Sequence, residues 1–127
     1  MSAELATAAF QRFVEALNQP RDGGALRRAV SDDVELDRHG PGTRDAPGPV
    51  AESFAGVAAV ERWFARTPAI VRFSLAGAPR LTGDRWSIDY AIDAGEFHNG
   101  GTWRAILTAD GKIASLQHQP FALADAG

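Results

Sequence analysis

In Val34-Glu35-Leu36-Asp37-Arg38-His39-Gly40, apolar and polar residues alternate with the period of two that a β-strand requires. The stretch ends with a carboxylate and an imidazole, Asp37 and His39, just before a segment rich in glycine and proline. We therefore expect a strand that carries reactive groups to the start of a loop.

Helices are predicted on both sides of this strand. Apolar residues at helical spacing predict a first helix over about 3–18, followed by a shorter helix that Asp22 can cap. After the strand come a loop, Gly40–Pro49, and a short strand, Ala51–Ala55. Gly56 then opens a third helix, which ends before a proline.

From Ile70 onward the apolar residues follow the period of a strand. Four strands are predicted around Val71–Leu75, Trp86–Asp93, Trp103–Thr108 and Ile113–Gln119. Gly83-Asp84 and Asp110-Gly111 predict hairpin turns between strands. Helices first and an antiparallel meander afterwards predict one α+β domain over residues 1–127, with the helices on one face of a curved sheet.

Composition excludes several classes of function. A net charge of -3 disfavours nucleic acid and anionic membranes as partners. No apolar window reaches the roughly 18 residues of a membrane span, and no signal peptide is evident, so we expect a cytoplasmic protein. With no cysteine, no closely spaced histidines and no phosphate-binding motif, neither a metal nor a cofactor is expected.

Four motifs at the joints of this pattern carry a resemblance to a known family. They are Gln11-Arg12-Phe13-Val14-Glu15-Ala16-Leu17-Asn18, Ser31-Asp32-Asp33-Val34-Glu35-Leu36-Asp37, Phe54-Ala55-Gly56 and Asp110-Gly111-Lys112-Ile113. With the order of elements, they make the chain resemble the nuclear transport factor 2-like superfamily, which includes SnoaL-like cyclases and ketosteroid isomerases. The resemblance implies a cone-shaped α+β fold, with three N-terminal helices packed on a strongly curved, mainly antiparallel sheet.

The resemblance to ketosteroid isomerase implies a role for Asp37, which falls at the position of that family's catalytic base. Phe13 stands where the family has its oxyanion tyrosine, and Trp103 where it has a protonated aspartate. Because both donors of the oxyanion hole are replaced, ketosteroid isomerase activity is not expected.

His118 is a second candidate, found from strand pairing. A two-residue turn at Asp110-Gly111 pairs Trp103 with His118 and places both on the apolar face of the sheet. Asp37 and His118 in one apolar pocket would suit general acid–base catalysis, with His39 as a reserve base.

Alternatives remain open for each of these residues. Strict alternation places Asp37 on the opposite face from Leu36, so that either the cavity side of the strand is polar or a bulge intervenes. Asp37 could instead pair with a neighbouring arginine, and His118 could bond a backbone carbonyl. Asp89 is expected on a solvated outer face, and His98 in an exposed hairpin loop.

Aromatic residues are the predicted walls of the cavity: Phe13, Trp63, Tyr90, Trp103 and Phe121. Such walls suit a small hydrophobic ligand with a carbonyl or hydroxyl group, and the Gly40–Pro49 loop is expected to border the mouth.

Two functions follow from these predictions. The first is a small lyase, isomerase or cyclase, in which Asp37 removes a proton next to a carbonyl and His118 polarises or reprotonates. The alternative is a non-catalytic protein that binds a small hydrophobic metabolite. A homodimer is expected through the outer faces of the sheets, where Ile106 interrupts the polar pattern and Ile70 can join it.

Overall fold

The computed structural model describes residues 2–19, 23–43, 46–68 and 70–121. Its elements are, in chain order, α1 (Ala3–Leu17), α2 (Gly23–Ala29), β1 (Val30–His39), β2 (Val50–Ala55), α3 (Val57–Ala65), β3 (Arg72–Leu75), β4 (Arg80–Thr82), β5 (Arg85–Ala94), β6 (Phe97–Leu107) and β7 (Ile113–Pro120). The α+β class is confirmed. Only α1 and α2 precede the sheet, since α3 follows two strands.

The strands form one seven-stranded mixed sheet within the described residues. The order is β2-β1-β7-β6-β5-β3, and β4 pairs with β5. The β1–β7 pair is parallel and the other pairs are antiparallel. The parallel pair brings the predicted strand of Asp37 beside that of His118.

The sheet has two different faces. One carries Arg38, Trp103 and His118, which are register partners on β1, β6 and β7. Phe13 of α1 contacts Trp103 at a ring distance of 5.0 Å, and Trp63 of α3 contacts His118 at 5.2 Å, so this is the helix-covered face. The opposite, polar face carries Asp37, Asp89, Thr102, Arg104, Gln117 and Gln119.

Aromatic side chains fill the space between the helices and the sheet. Trp103 is fully buried, with Tyr90 stacked on it at 4.3 Å and Phe13 edge-on at 5.0 Å. Burying one such side chain stabilises the fold by roughly 1.5–3 kcal/mol. Asn18 fixes the end of α1 to β3, because its amide both donates to the Phe73 carbonyl (2.9 Å) and accepts from the Phe73 N–H (2.8 Å).

The predicted turn at Asp110-Gly111 is wider than two residues. A type I′ turn needs positive φ at both central residues, and here only Gly111 has it, at 84°. The Thr108 N–H bonds the Lys112 carbonyl at 2.8 Å, and a register shift follows between Ile106 and Leu107. That shift restores the pairing of Trp103 with His118, so the predicted pair is confirmed although the turn is not.

Two other local predictions are wrong. His98 lies on β6, not in a loop, because the chain reverses at Gly95, whose φ is 73°. Its ring is exposed, as expected, and lies 3.6 Å from Asp93. The short strand β4 was missed because all three of its residues are exposed, so that it shows no buried apolar face. The predicted cap Asp22 lies outside the described residues.

Candidate functional site

His118 is held in the core by two aromatic side chains. The Trp103 indole N–H donates to Nδ1 of His118 at 2.9 Å, and the Tyr90 hydroxyl lies 3.3 Å from its Nε2. Because Nδ1 accepts a hydrogen bond, the neutral ring carries its proton on Nε2 and can donate it to the Tyr90 oxygen. The three residues form a buried chain of hydrogen bonds on the helix-covered face.

Burial keeps the two titratable members of this chain, His118 and Tyr90, uncharged. Desolvation is the main cause that lowers the pKa of His118 to about 3, and the charge of Arg38 and the electrostatic effect of His39 contribute to the same shift. Desolvation also raises the pKa of Tyr90 well above its usual value. A general base works best with a pKa near the operating pH, so His118 in this state is a hydrogen-bonding group and a poor proton acceptor.

Asp37 lies on the other face of the sheet. It is the register partner of Gln117 on β7, whereas His118 is the next residue along that strand. The Ser53 hydroxyl donates to the Asp37 carboxylate at 2.7 Å. The prediction that Asp37 and His118 share a pocket is wrong, because consecutive residues of a strand face opposite sides and the β1–β7 register is regular here.

His39, the predicted reserve base, is 7% exposed and binds the loop that follows β1. Its Nδ1 lies 2.8 Å from the Gly48 carbonyl, to which it donates. Within the described residues its Nε2 is buried and has no hydrogen-bond partner. The contact to Gly48 gives His39 a structural role in holding the loop.

The Gly40–Pro49 loop is fixed to the sheet by Gln119. The Gln119 side chain accepts from the Gly48 N–H at 2.7 Å and donates to the Gly40 carbonyl at 2.9 Å. Pro47 lines a cavity on the polar face. The expectation that this loop borders an aromatic cavity is therefore wrong for its described residues, because Gln119 draws it towards the polar face.

The predicted aromatic walls are mostly packing residues. Phe13, Tyr90 and Trp103 are at most 1% exposed. Phe121 forms a bridge with Gly42. These four are absent from the linings of four cavities, of about 180 to 370 Å³, that the described residues form. Trp63 lines two of them.

Those two cavities adjoin and share Glu52, Trp63 and Arg66. One, of about 370 Å³, adds Phe54, and the other, of about 350 Å³, adds Arg38. Arg62 also lines the first cavity, and we call these six residues the Trp63 cleft. The Trp63 ring stacks on Phe54 at 5.3 Å with an interplanar angle of 17°, and it makes a T-shaped contact with His118 at 5.2 Å.

The rim of the Trp63 cleft is mainly cationic. Arg38 forms an ion pair with Glu52, with Nη2 and Nε at 2.7 and 2.9 Å from the same carboxylate oxygen. Arg62 and Arg66 also line the cleft, so three guanidinium groups face one carboxylate. An aromatic wall beside excess positive charge suits a ligand with an apolar body and an acidic group.

Asp89 on the polar face was predicted to be solvated, and this is wrong. It is 7% exposed. The Thr102 hydroxyl donates to it at 2.9 Å and Arg80 approaches it at 3.2 Å. Pairing of β4 with β5 brings Arg80 over the carboxylate, and no local sequence pattern signals that contact.

The described residues provide neither a metal-binding cluster nor a membrane-spanning helix. Its histidine, aspartate and glutamate side chains form no group of three that could hold a metal ion. Over the same residues, no helix is long and apolar enough to cross a membrane.

No protein-family model and no curated protein sequence matches this chain. Solved structures do. A SnoaL-like protein of unknown function from Burkholderia thailandensis E264 has a TM-score of 0.70 and 14% identity, covering 96% of this chain and 99% of that one. A candidate ketosteroid isomerase from Kribbella flavida DSM 17836 has a TM-score of 0.69 and 16% identity, covering 94% and 80%.

An NTF2-like protein of unknown function from Exiguobacterium sp. 255-15 has a TM-score of 0.62 and 21% identity, covering 88% of this chain and 97% of that one. At such identities the likeness concerns the fold, and a fold hosts many functions. The chain therefore has the nuclear transport factor 2-like fold, which SnoaL-like and ketosteroid isomerase-like proteins share.

Proposed function

We propose that this protein is a non-catalytic binding protein for a small, mainly apolar molecule with an acidic group, held in the Trp63 cleft. The observation that carries the proposal is the stacked pair of Phe54 and Trp63 beside three arginines. An aromatic ligand could extend this stack, while its carboxylate accepts hydrogen bonds from Arg66 or Arg38.

Proton-transfer catalysis by Asp37 and His118 forms no part of the proposal. Their side chains project from opposite faces of the sheet, and the low pKa of His118 makes it a weak base. The lyase, isomerase or cyclase alternative would need a different base on the helix-covered face. Binding without catalysis requires only the aromatic wall and the arginine side chains of the Trp63 cleft.

Titration with 2-naphthoate, which joins a flat apolar body to one carboxylate, tests the proposal. Binding is followed by ¹⁵N NMR, including the indole N–H signals. Trp63→Leu is compared with Trp86→Leu, since Trp86 is also a partly buried tryptophan but lies outside the cleft. We expect Trp63→Leu to weaken binding by about tenfold or more, and Trp86→Leu by no more than about twofold.

Circular dichroism of both variants checks that they are folded. Equal binding by Trp63→Leu and the unmodified protein would contradict the proposal. So would an equal loss in both variants, because the site would then not be the Trp63 cleft.

We also propose a homodimer that forms through the polar face. Ile106 follows Arg104 on that face of β6 and is partly exposed, and Ile70 is 63% exposed. Apolar side chains among polar ones can anchor a two-fold interface. Light scattering should give twice the chain mass of 13.5 kDa, and Ile106→Asp should return the value to 13.5 kDa. A mass of 13.5 kDa for the unmodified protein at micromolar concentration would refute the dimer.

A further inference from the structure

A second cavity lies on the polar face, on the other side of the sheet from the Trp63 cleft. Strand pairing places Arg80, Ser87 and Arg104 in one row across β4, β5 and β6. Thr82 and Arg85 are paired in the next row. Directly opposed residues lie side by side on one face, so two long cationic side chains flank a small serine.

These side chains enclose a cavity of about 300 Å³. Beside Pro47, its described lining consists of Arg80, Thr82, Arg85, Ser87, Thr102 and Arg104. We call it the arginine cavity. It combines three guanidinium groups with three hydroxyl groups, and its described lining contains no acidic residue.

The charge of Arg85 has no acidic partner in the described part of the chain, where its terminal nitrogens lie 3.3 and 3.4 Å from the neutral Ser115 hydroxyl. The nearby carboxylate of Asp89 already accepts from both Arg80 and Thr102 through one oxygen. The described lining therefore carries three guanidinium groups, and that of Arg85 faces the neutral Ser115 hydroxyl.

We propose that the arginine cavity binds a small oxyanion with two or more negative charges, either a phosphate group or a short dicarboxylate. Guanidinium groups match the oxygens of both anions in pairs, and the hydroxyls can donate to the oxygens that remain. A cavity of about 300 Å³ accommodates either anion. The site is separate from the Trp63 cleft and does not depend on the function proposed for it.

The experiment is an NMR titration of the full chain with inorganic phosphate, and separately with succinate. Sodium chloride keeps the ionic strength constant, because screening alone changes the signals of exposed charges. The arginine Nε–H signals report the site directly. Light scattering in the same buffer determines whether the titrated protein is a monomer or a dimer. The expected binding is the same for either oligomeric state.

Two variants locate the site, with one matched control. Arg85→Gln should weaken binding of the preferred anion by about tenfold or more. Arg28→Gln, which removes the same charge from an exposed position on α2, should change the affinity by no more than about twofold. Thr82→Glu adds a negative charge at an exposed wall residue and should abolish saturable binding without unfolding the chain.

The site would be established, and the anion identified, by saturable binding of phosphate or succinate that is weakened in Arg85→Gln and lost in Thr82→Glu. The absence of saturation by either anion up to about 50 mM would overturn the proposal, since that corresponds to less than about 2 kcal/mol of binding free energy. Equal losses in Arg85→Gln and Arg28→Gln would also overturn it, because binding would then follow net charge.

Discussion

Acid should destabilise this protein through His118 in particular. The ring is buried, and desolvation, together with the nearby charge of Arg38 and the electrostatic effect of His39, lowers its pKa from 6.5 to about 3. Between these values the unfolded chain binds a proton at His118 that the folded chain does not, so a fall in pH favours unfolding. The contribution of the neutral ring is fully present above pH 6.5 and is lost progressively as the pH falls towards 3.

The magnitude follows from the size of the pKa shift. A change from 6.5 to about 3 corresponds to roughly 5 kcal/mol over the whole range. Between pH 7 and pH 4.5 the loss in the free energy of unfolding is about 2–3 kcal/mol, because the folded ring remains neutral there while the unfolded ring becomes almost fully charged.

Urea unfolding at several pH values measures this loss. His118→Gln is the matched variant, because its amide oxygen can still accept from the Trp103 indole but the side chain does not titrate. The unmodified protein should lose about 2–3 kcal/mol more than the variant between pH 7 and pH 4.5. Equal losses in the two proteins, or an NMR titration of His118 with a midpoint near 6.5, would show that His118 does not cause the acid sensitivity.

Two further predictions concern the loop and the aromatic core. Gln119→Leu removes the hydrogen-bond partners of the Gly48 N–H and the Gly40 carbonyl, so the free energy of unfolding should fall by about 2–4 kcal/mol. The Gly48 amide hydrogen should also exchange faster with solvent. An unchanged rate of hydrogen exchange would contradict the role of Gln119. Gly101→Ala places a methyl group against the Gln119 backbone carbonyl and 2.5 Å from the Tyr90 hydroxyl, and it should lower the free energy of unfolding by about 1–3 kcal/mol in urea unfolding. Gly40→Ala, whose methyl group meets its nearest neighbour at 3.7 Å, is the control, and equal effects would argue against this packing.

The sequence predicted the fold better than the site, and the pair of Trp103 and His118 shows why. The alternation of inward and outward side chains along β6 and β7 determines which residues share a face. Trp103 and His118 therefore pair as predicted, even though the turn at Asp110-Gly111 is wider than expected. A compensating register shift beyond the turn depends on the positive φ of Gly111 and on hydrogen bonds of Thr108. Periodicity is robust to such local changes because it extends over many residues.

The pairing of Asp37 with His118 failed for the opposite reason. Strict alternation with Leu36 already placed Asp37 on the other face, whereas the resemblance to ketosteroid isomerase placed it in the cavity. The structure follows the alternation. The burial of Asp89 could not be predicted for a different reason. Its carboxylate is covered by Arg80 of β4, and all three residues of that strand are exposed, so that the sequence shows no alternation that would predict the strand.

A crystal structure of the complex with 2-naphthoate would show whether the ligand site is the Trp63 cleft on the helix-covered face. We expect the naphthalene ring to lie against Trp63 and the carboxylate to contact Arg66 or Arg38. Naphthoate bound beside Asp37 and Ser53 on the polar face, with the Trp63 cleft empty, would contradict it.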